Sequence, residues 1–228
     1  MSNGKRINEL HKEYLAAIHR RDATSALAIL DAASHSATPD QQSVVRAPNL
    51  SIDFPDVSGY TALYRAAKEG QTLAVDSLLA QGANPNAGAD EDGWSPLHIA
   101  ITNAHDAAAN SLLAAGARVS ARTATGQTPL HAAAATDQPE LVSRLLSLGA
   151  DANARDEHGR RPLEVALSSA GDATVRMLLE RGADPNSNDD GRTGPPLFIA
   201  LAQNSYVSKP FTLSNIILSL LEQNCIIF

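Results

Sequence analysis

The sequence predicts an all-α solenoid of stacked helix pairs joined by β-hairpin loops, and three observations carry that prediction. Leu63, Leu97, Leu130, Leu163 and Leu197 recur at separations of 34, 33, 33 and 34 residues. A period in the thirties is the mark of a stacked-repeat architecture. Gly82, Gly116, Gly149 and Gly182 each follow their leucine by 19 residues, so the variation in length falls between the glycine and the next leucine. Segments that tolerate insertion are loops, and the rest of each copy is one rigid unit. Aromatic content is 4% and hydrophobic content 43%, most of it Ala and Leu. Small side chains suit closely packed short helices and argue against a sandwich or barrel.

Residues Gly126 to Asp156 show how one copy works. Thr128 precedes Pro129, so its hydroxyl is placed to cap a helix whose first turn accepts proline, because the missing N–H there has no partner to lose. The helix from Pro129 to Thr136 is nearly all alanine on its inner face. Alanine has the best helix propensity, and packing lets so short a helix persist. Asp137-Gln138-Pro139 ends it and starts another. Leu141, Val142, Leu145, Leu146 and Leu148 give the second helix an apolar face at helical spacing. Gly149 stands where a left-handed C-cap is wanted. Ala150 to Gly159 then reads as a turn-rich hairpin leading into the next copy.

The motif Thr128-Pro129-Leu130-His131-Ala132-Ala133 closely resembles that of the ankyrin repeat, strongly from about Asp56 to Gln203, with degenerate copies on both sides. The expected organisation is a capping helix pair at 1–33, a Pro, Ser and Gln-rich insertion at 34–55, and repeats at 56–89, 90–122, 123–155 and 156–189. A degenerate final repeat with its own insertion occupies 190–228. The first pair carries Lys, Arg and Glu outward, as a terminal unit facing water should. Leu15 to Leu63 is 48 residues, about 15 more than one period. The extra stretch is either a disordered bulge or a binding loop.

Composition restricts the function classes. The formal net charge of −7 over 228 residues argues against nonspecific binding to nucleic acid or an anionic membrane face. No apolar run approaches the ~20 residues of a membrane span. The single cysteine excludes an intramolecular disulfide framework, and no secretory pattern follows Met1, so a cytoplasmic or nuclear setting is expected. His98 and His131 lie one per repeat, and Tyr64, Glu164 and Phe198 replace them in other copies, so no metal site is expected. Asp56, Asp90, Asp156 and Asp190 also come one per repeat and read as turn formers. No phosphate loop, nucleophile elbow or Ser-His-Asp grouping stands out. The expectation is a monomeric, non-enzymatic protein with no catalytic residues, no cofactor and no metal.

The resemblance implies that the motif histidine has a structural role, bonding backbone and the Thr of its own motif. It further implies that a protein partner docks on a concave face made of hairpin tips and the exposed sides of the first helices, as for an adaptor or inhibitor. Carried over by position, that surface takes Tyr60, Lys68 and Glu69 from one repeat, then Glu91, Asp92, Trp94, Thr102 and Asn103 from the next. Gln127 and Thr136 follow, and then His158 and Arg160. Tyr60 and Trp94 are the informative members, because amphipathic rings one repeat apart have hot-spot composition. They lie outside the helical stripe, although core packing is the competing role for any aromatic. Asp90, Glu91 and Asp92 around Trp94 suggest a partner of basic character. The resemblance also marks Asn153 and Asn186 as acceptors for asparagine hydroxylation. The chain's last residues, Cys225-Ile226-Ile227-Phe228, match a C-a-a-X prenylation pattern. A lipid on Cys225 would make the protein a membrane-peripheral adaptor. The competing reading is a final repeat that stops just past its C-cap.

Overall fold

Leu63, Leu97, Leu130 and Leu163 each sit in a short helix opened by a Thr, Ser or Arg and closed about two turns later. The computed structural model describes residues 9–10, 12–17, 20, 25, 28–29, 52–53, 55, 59–88, 92–169 and 172–185. Among them helices run as α1 Ala62–Lys68, α2 Thr72–Ala80, α3 Pro96–Thr102, α4 Asp106–Ala114, α5 Pro129–Ala135, α6 Pro139–Ser147, α7 Pro162–Ser168 and α8 Asp172–Glu180. First helices have 7 residues and second helices 9. Residues 12–17 are helical as well, with Tyr14 and Ala17 buried. Burial pushes the Tyr14 phenol above its ordinary value.

The chain divides into two compact units, Met1–Ala117 and Arg118–Phe228. In the first, α1 packs on α2 and α3, α2 on α4, and α3 on α4. In the second, α5 packs on α6 and α7, α6 on α8, and α7 on α8. In each unit these described helices form two pairs laid side by side. Leu63, Leu97, Leu130 and Leu163 are at most 1% exposed, and Ala62, Ala66, Ala100, Ala133 and Ala166 are 0% exposed. Alanine's small side chain lets the helices of each unit approach closely around the buried leucines. Cutting such a leucine back to alanine costs about 2–5 kcal/mol.

The second helices end as the glycines require. Gly149 has φ +89°, its N–H donates to the Leu146 carbonyl at 3.0 Å, and the Ala150 N–H reaches back to Leu145 at 3.0 Å. This Schellman closure satisfies carbonyls that the helix end would leave bare. Helices α1, α3 and α5 close in the same way, and of these three only α1 uses glycine. Gly70 has φ +69°, whereas Ala104 at φ +56° and Asp137 at φ +50° hold the left-handed position with a side chain.

No strand forms among the described residues, so the connections expected as β-hairpins are tight turns. At the third repeat, Thr123 donates to the Gln127 carbonyl at 2.9 Å and Gly126 to the Thr123 carbonyl at 2.9 Å. A tip this short leaves no length for a ladder. The degenerate repeat from 190, its insertion, Asp56, Asp90, Glu91, Asn186 and Cys225 lie outside the described residues. So do most of the capping pair and most of the insertion at 34–55.

Candidate functional site

The motif residues are spent on holding the scaffold. In the second repeat, Ser95 Oγ lies 2.8 Å from His98 Nδ1 and accepts from the His98 N–H at 3.4 Å. In the third, the Thr128 hydroxyl bonds His131 Nδ1 at 2.9 Å, and the Thr128 N–H donates to the same nitrogen at 3.2 Å. An Nδ1 that accepts leaves the ring proton on Nε2. That proton is donated to the Arg160 carbonyl, 3.0 Å away in the next repeat. His131 is 1% exposed, and burial holds it below the ordinary imidazole value, with the Arg160 bond and Asp156 acting against the shift. It is a neutral strut between repeats, as the resemblance implied.

The fourth repeat reaches the same end with other residues. Glu164 takes the histidine's place and accepts the Arg161 N–H at 2.9 Å. Arg161, where the first three full repeats carry Thr or Ser, is 9% exposed and donates through Nη1 to Asp184 at 3.0 Å. Asp156 is a turn former, as expected. Its Oδ1 accepts from the His158 and Arg160 N–H groups, both at 2.9 Å, and its Oδ2 pairs with Arg160 Nη2 at 2.8 Å. Among the described residues no group of three or more His, Cys, Asp or Glu is placed to hold a metal ion. No described helix is long and apolar enough to cross a membrane.

The surface residues expected from the sequence lie at the tips and the ends of the first helices. In the unit Met1–Ala117, Tyr60 is half-buried and stacks on Tyr64, with ring centroids 4.8 Å apart and planes 8° from parallel. Lys68 Nζ lies 5.7 Å and Arg65 Cζ 5.3 Å from the centroid of the Tyr60 ring. Trp94 is half-buried too, edge-on to His98 at 6.0 Å and 71°. Both rings sit off the helical stripe, as expected, but each rests on the residue four places on, at the motif-histidine position. Asp92 and Thr102 are exposed, and Glu69 caps α1. Asn103 is exposed as well, but its Nδ2 donates to the Lys68 carbonyl at 2.9 Å.

In the unit Arg118–Phe228, His158 points to solvent and Gln127 is half-buried. The Thr136 hydroxyl is turned inward to the Ala132 carbonyl at 2.9 Å, and Arg160 is held by Asp156. Asn153 is likewise occupied. It accepts from the Asp184 N–H at 2.8 Å and donates to the Gly182 carbonyl at 3.3 Å.

Two residues of this framework escape a reading by motif. Arg65 is one, although its place is held by Ile99, Ala132 and Val165 in the other copies, and a charge there was the available signal. Asp53 is the other. Its Oδ1 accepts the Asn84 N–H at 3.0 Å, in the register by which Asn153 holds Asp184. Counting 33 residues back from Asn86 lands on it.

The model for ankyrin repeats (3 copies) matches residues 15–123 and 116–189, well over half of the sequence. The chain belongs to the ankyrin-repeat family. This ankyrin-repeat protein is 35% identical over 76 residues to BCL-6 corepressor-like protein 1 of Homo sapiens, covering 33% of this chain and 4% of that one. It is 39% identical over 59 residues to Protein phosphatase 1 regulatory subunit 27 of Mus musculus, covering 26% of this chain and 38% of that one. The matched stretches thus span less than two fifths of either relative.

Proposed function

We propose that this ankyrin-repeat chain is a non-enzymatic interaction module, an adaptor or inhibitor that holds a protein partner against its tips and the exposed ends of its first helices. The observation that carries the reading is the pair of half-buried rings, Tyr60 and Trp94, set at equivalent positions of adjacent repeats. A ring anchored from beneath loses little freedom when a partner covers it, and aromatic anchors of this kind dominate interface energetics. The motif histidines and buried acids are consumed by structural bonds, which directs function to surface shape. The relative named as a phosphatase regulatory subunit acts, by that name, through another protein, and the matched stretch supports the same class of role here. The setting we propose is cytoplasmic or nuclear, since a lone cysteine suits a reducing compartment.

The test is affinity capture of a partner by the full chain, identification by mass spectrometry, and titration of the purified pair. Tyr60→Ala and Trp94→Ala should each weaken it by about tenfold or more, the range of an interface hot spot. A partner bound equally well by both variants would remove the proposal.

A further inference from the structure

The two aromatic tips of the unit Met1–Ala117 carry opposite charge, and the fold does not demand it. At the Tyr60 tip, Arg65 and Lys68 converge on one ring, at 5.3 and 5.7 Å from its centroid. They stand three residues apart on α1, where like charges repel. The electron-rich face of the tyrosine offsets that repulsion. Equivalent positions in the other three full repeats are neutral. Arg65 corresponds to Ile99, Ala132 and Val165, and Lys68 to Thr102, Ala135 and Ser168. Basic residues in a last turn favour the helix dipole, yet α3, α5 and α7 form without any there. At the Trp94 tip the sign is reversed. Asp92 is exposed two residues before Trp94 and follows Asp90 and Glu91 in sequence.

We propose that this surface reads a partner segment with separated charges, seating an acidic side chain over Tyr60, Arg65 and Lys68 and a basic one beside Trp94 and Asp92. The order of the two charges fixes the direction in which the segment lies. The inference rests on the tips being the docking surface and adds the chemistry and polarity of the occupant. Charge complementarity of this sort selects partners and registers more than it adds raw affinity. The cations are held against an aromatic face at the end of a short rigid helix, so little side-chain freedom is lost on meeting a carboxylate.

The experiment is selection of a random dodecapeptide display library on the full chain, with affinities of the enriched peptides measured by fluorescence anisotropy. Enriched peptides should carry Asp or Glu at one end and Lys or Arg at the other, in one consistent order. The pair Arg65→Glu with Lys68→Glu, and separately Asp92→Lys, should each raise Kd by about tenfold. The neutral pair Arg65→Gln with Lys68→Gln keeps length and helix propensity and guards against misfolding. It should still lose binding, by about threefold or more. Reversal at both tips together should favour peptides of the opposite order. Failure to enrich split-charge peptides, or affinities unchanged by charge reversal, would overturn the inference. Tyr60→Ala and Trp94→Ala in the same assay separate the two levels. Loss on the alanine changes with indifference to charge leaves the surface in place and removes its polarity, whereas indifference to both removes the surface too.

Discussion

His131 donates from Nε2 to the backbone carbonyl of Arg160 at 3.0 Å, so that a side chain of one repeat closes the turn of the next. The same carbonyl accepts the Asp156 N–H at 2.9 Å. Folding and protonation are therefore linked at this ring. Burial lowers its folded-state value below the ordinary 6.5, so the unfolded chain takes up the proton first. The stability that the neutral ring contributes is complete above about pH 6.5 and drains away as pH falls towards the folded-state value. Urea midpoints should fall on going from neutral to mildly acidic pH, and less steeply in His131→Gln. Equal slopes for the two proteins would show that the ring is not the linked group.

Arg161 and Glu164 stand where the second and third repeats carry Ser95–His98 and Thr128–His131, and they should be exchangeable only as a pair. Glu164→Ala leaves the buried Arg161 N–H unmet, at a cost of about 1–3 kcal/mol. Arg161→Thr with Glu164→His restores the bond seen between Thr128 and His131. The double change should recover stability relative to Glu164→His alone, with a coupling of about 0.5–3 kcal/mol in a denaturation cycle. Additive single effects would contradict it.

Ala104 and Asp137 both hold positive φ, but for different gains. Ala104→Gly relieves a left-handed side chain and should stabilise by about 0.5–1 kcal/mol after the entropy of glycine is counted. Asp137 is bonded through Oδ1 to the Thr174 hydroxyl at 2.7 Å, and Thr174 is 0% exposed. Asp137→Gly gives up that bond and should not stabilise. Chemical denaturation of the two variants beside wild type checks the contrast.

Much of the scaffold could be read from the sequence because one physical reason served every copy. Glycine after the second helix, proline at its partner's start and the buried leucine each follow from local sterics or burial. Reading failed where a copy solved the same problem with an unrelated residue. The left-handed turns at Ala104 and Asp137 carry no glycine to announce them, and Asp53 does an asparagine's work without the motif around it. At the candidate surface, the off-stripe placement of Tyr60 and Trp94 was legible, but their anchoring was not. Tyr64 stands where a motif histidine belongs, and only the fold shows a ring stacked on it. Asn103, Thr136 and Arg160 were placed on the surface by position, yet their polar groups are bonded within their own unit.

Anchoring also sets what an aromatic deletion does to stability. Trp94→Ala loses an edge-on contact with His98 and should cost about 0.5–1.5 kcal/mol beyond its buried area. A thermal melt should show a cooperative transition shifted down modestly. Loss of cooperativity would mean that the ring belongs to the core.

The central claim is that the molecule works by the surface its tips present, and the direct measurement is a calorimetric titration of the captured partner into wild type, Tyr60→Ala and Trp94→Ala. The account predicts a Kd weaker by about tenfold or more for each variant, with the far-UV spectrum of wild type retained. Both variants folded and binding with unchanged Kd would contradict it.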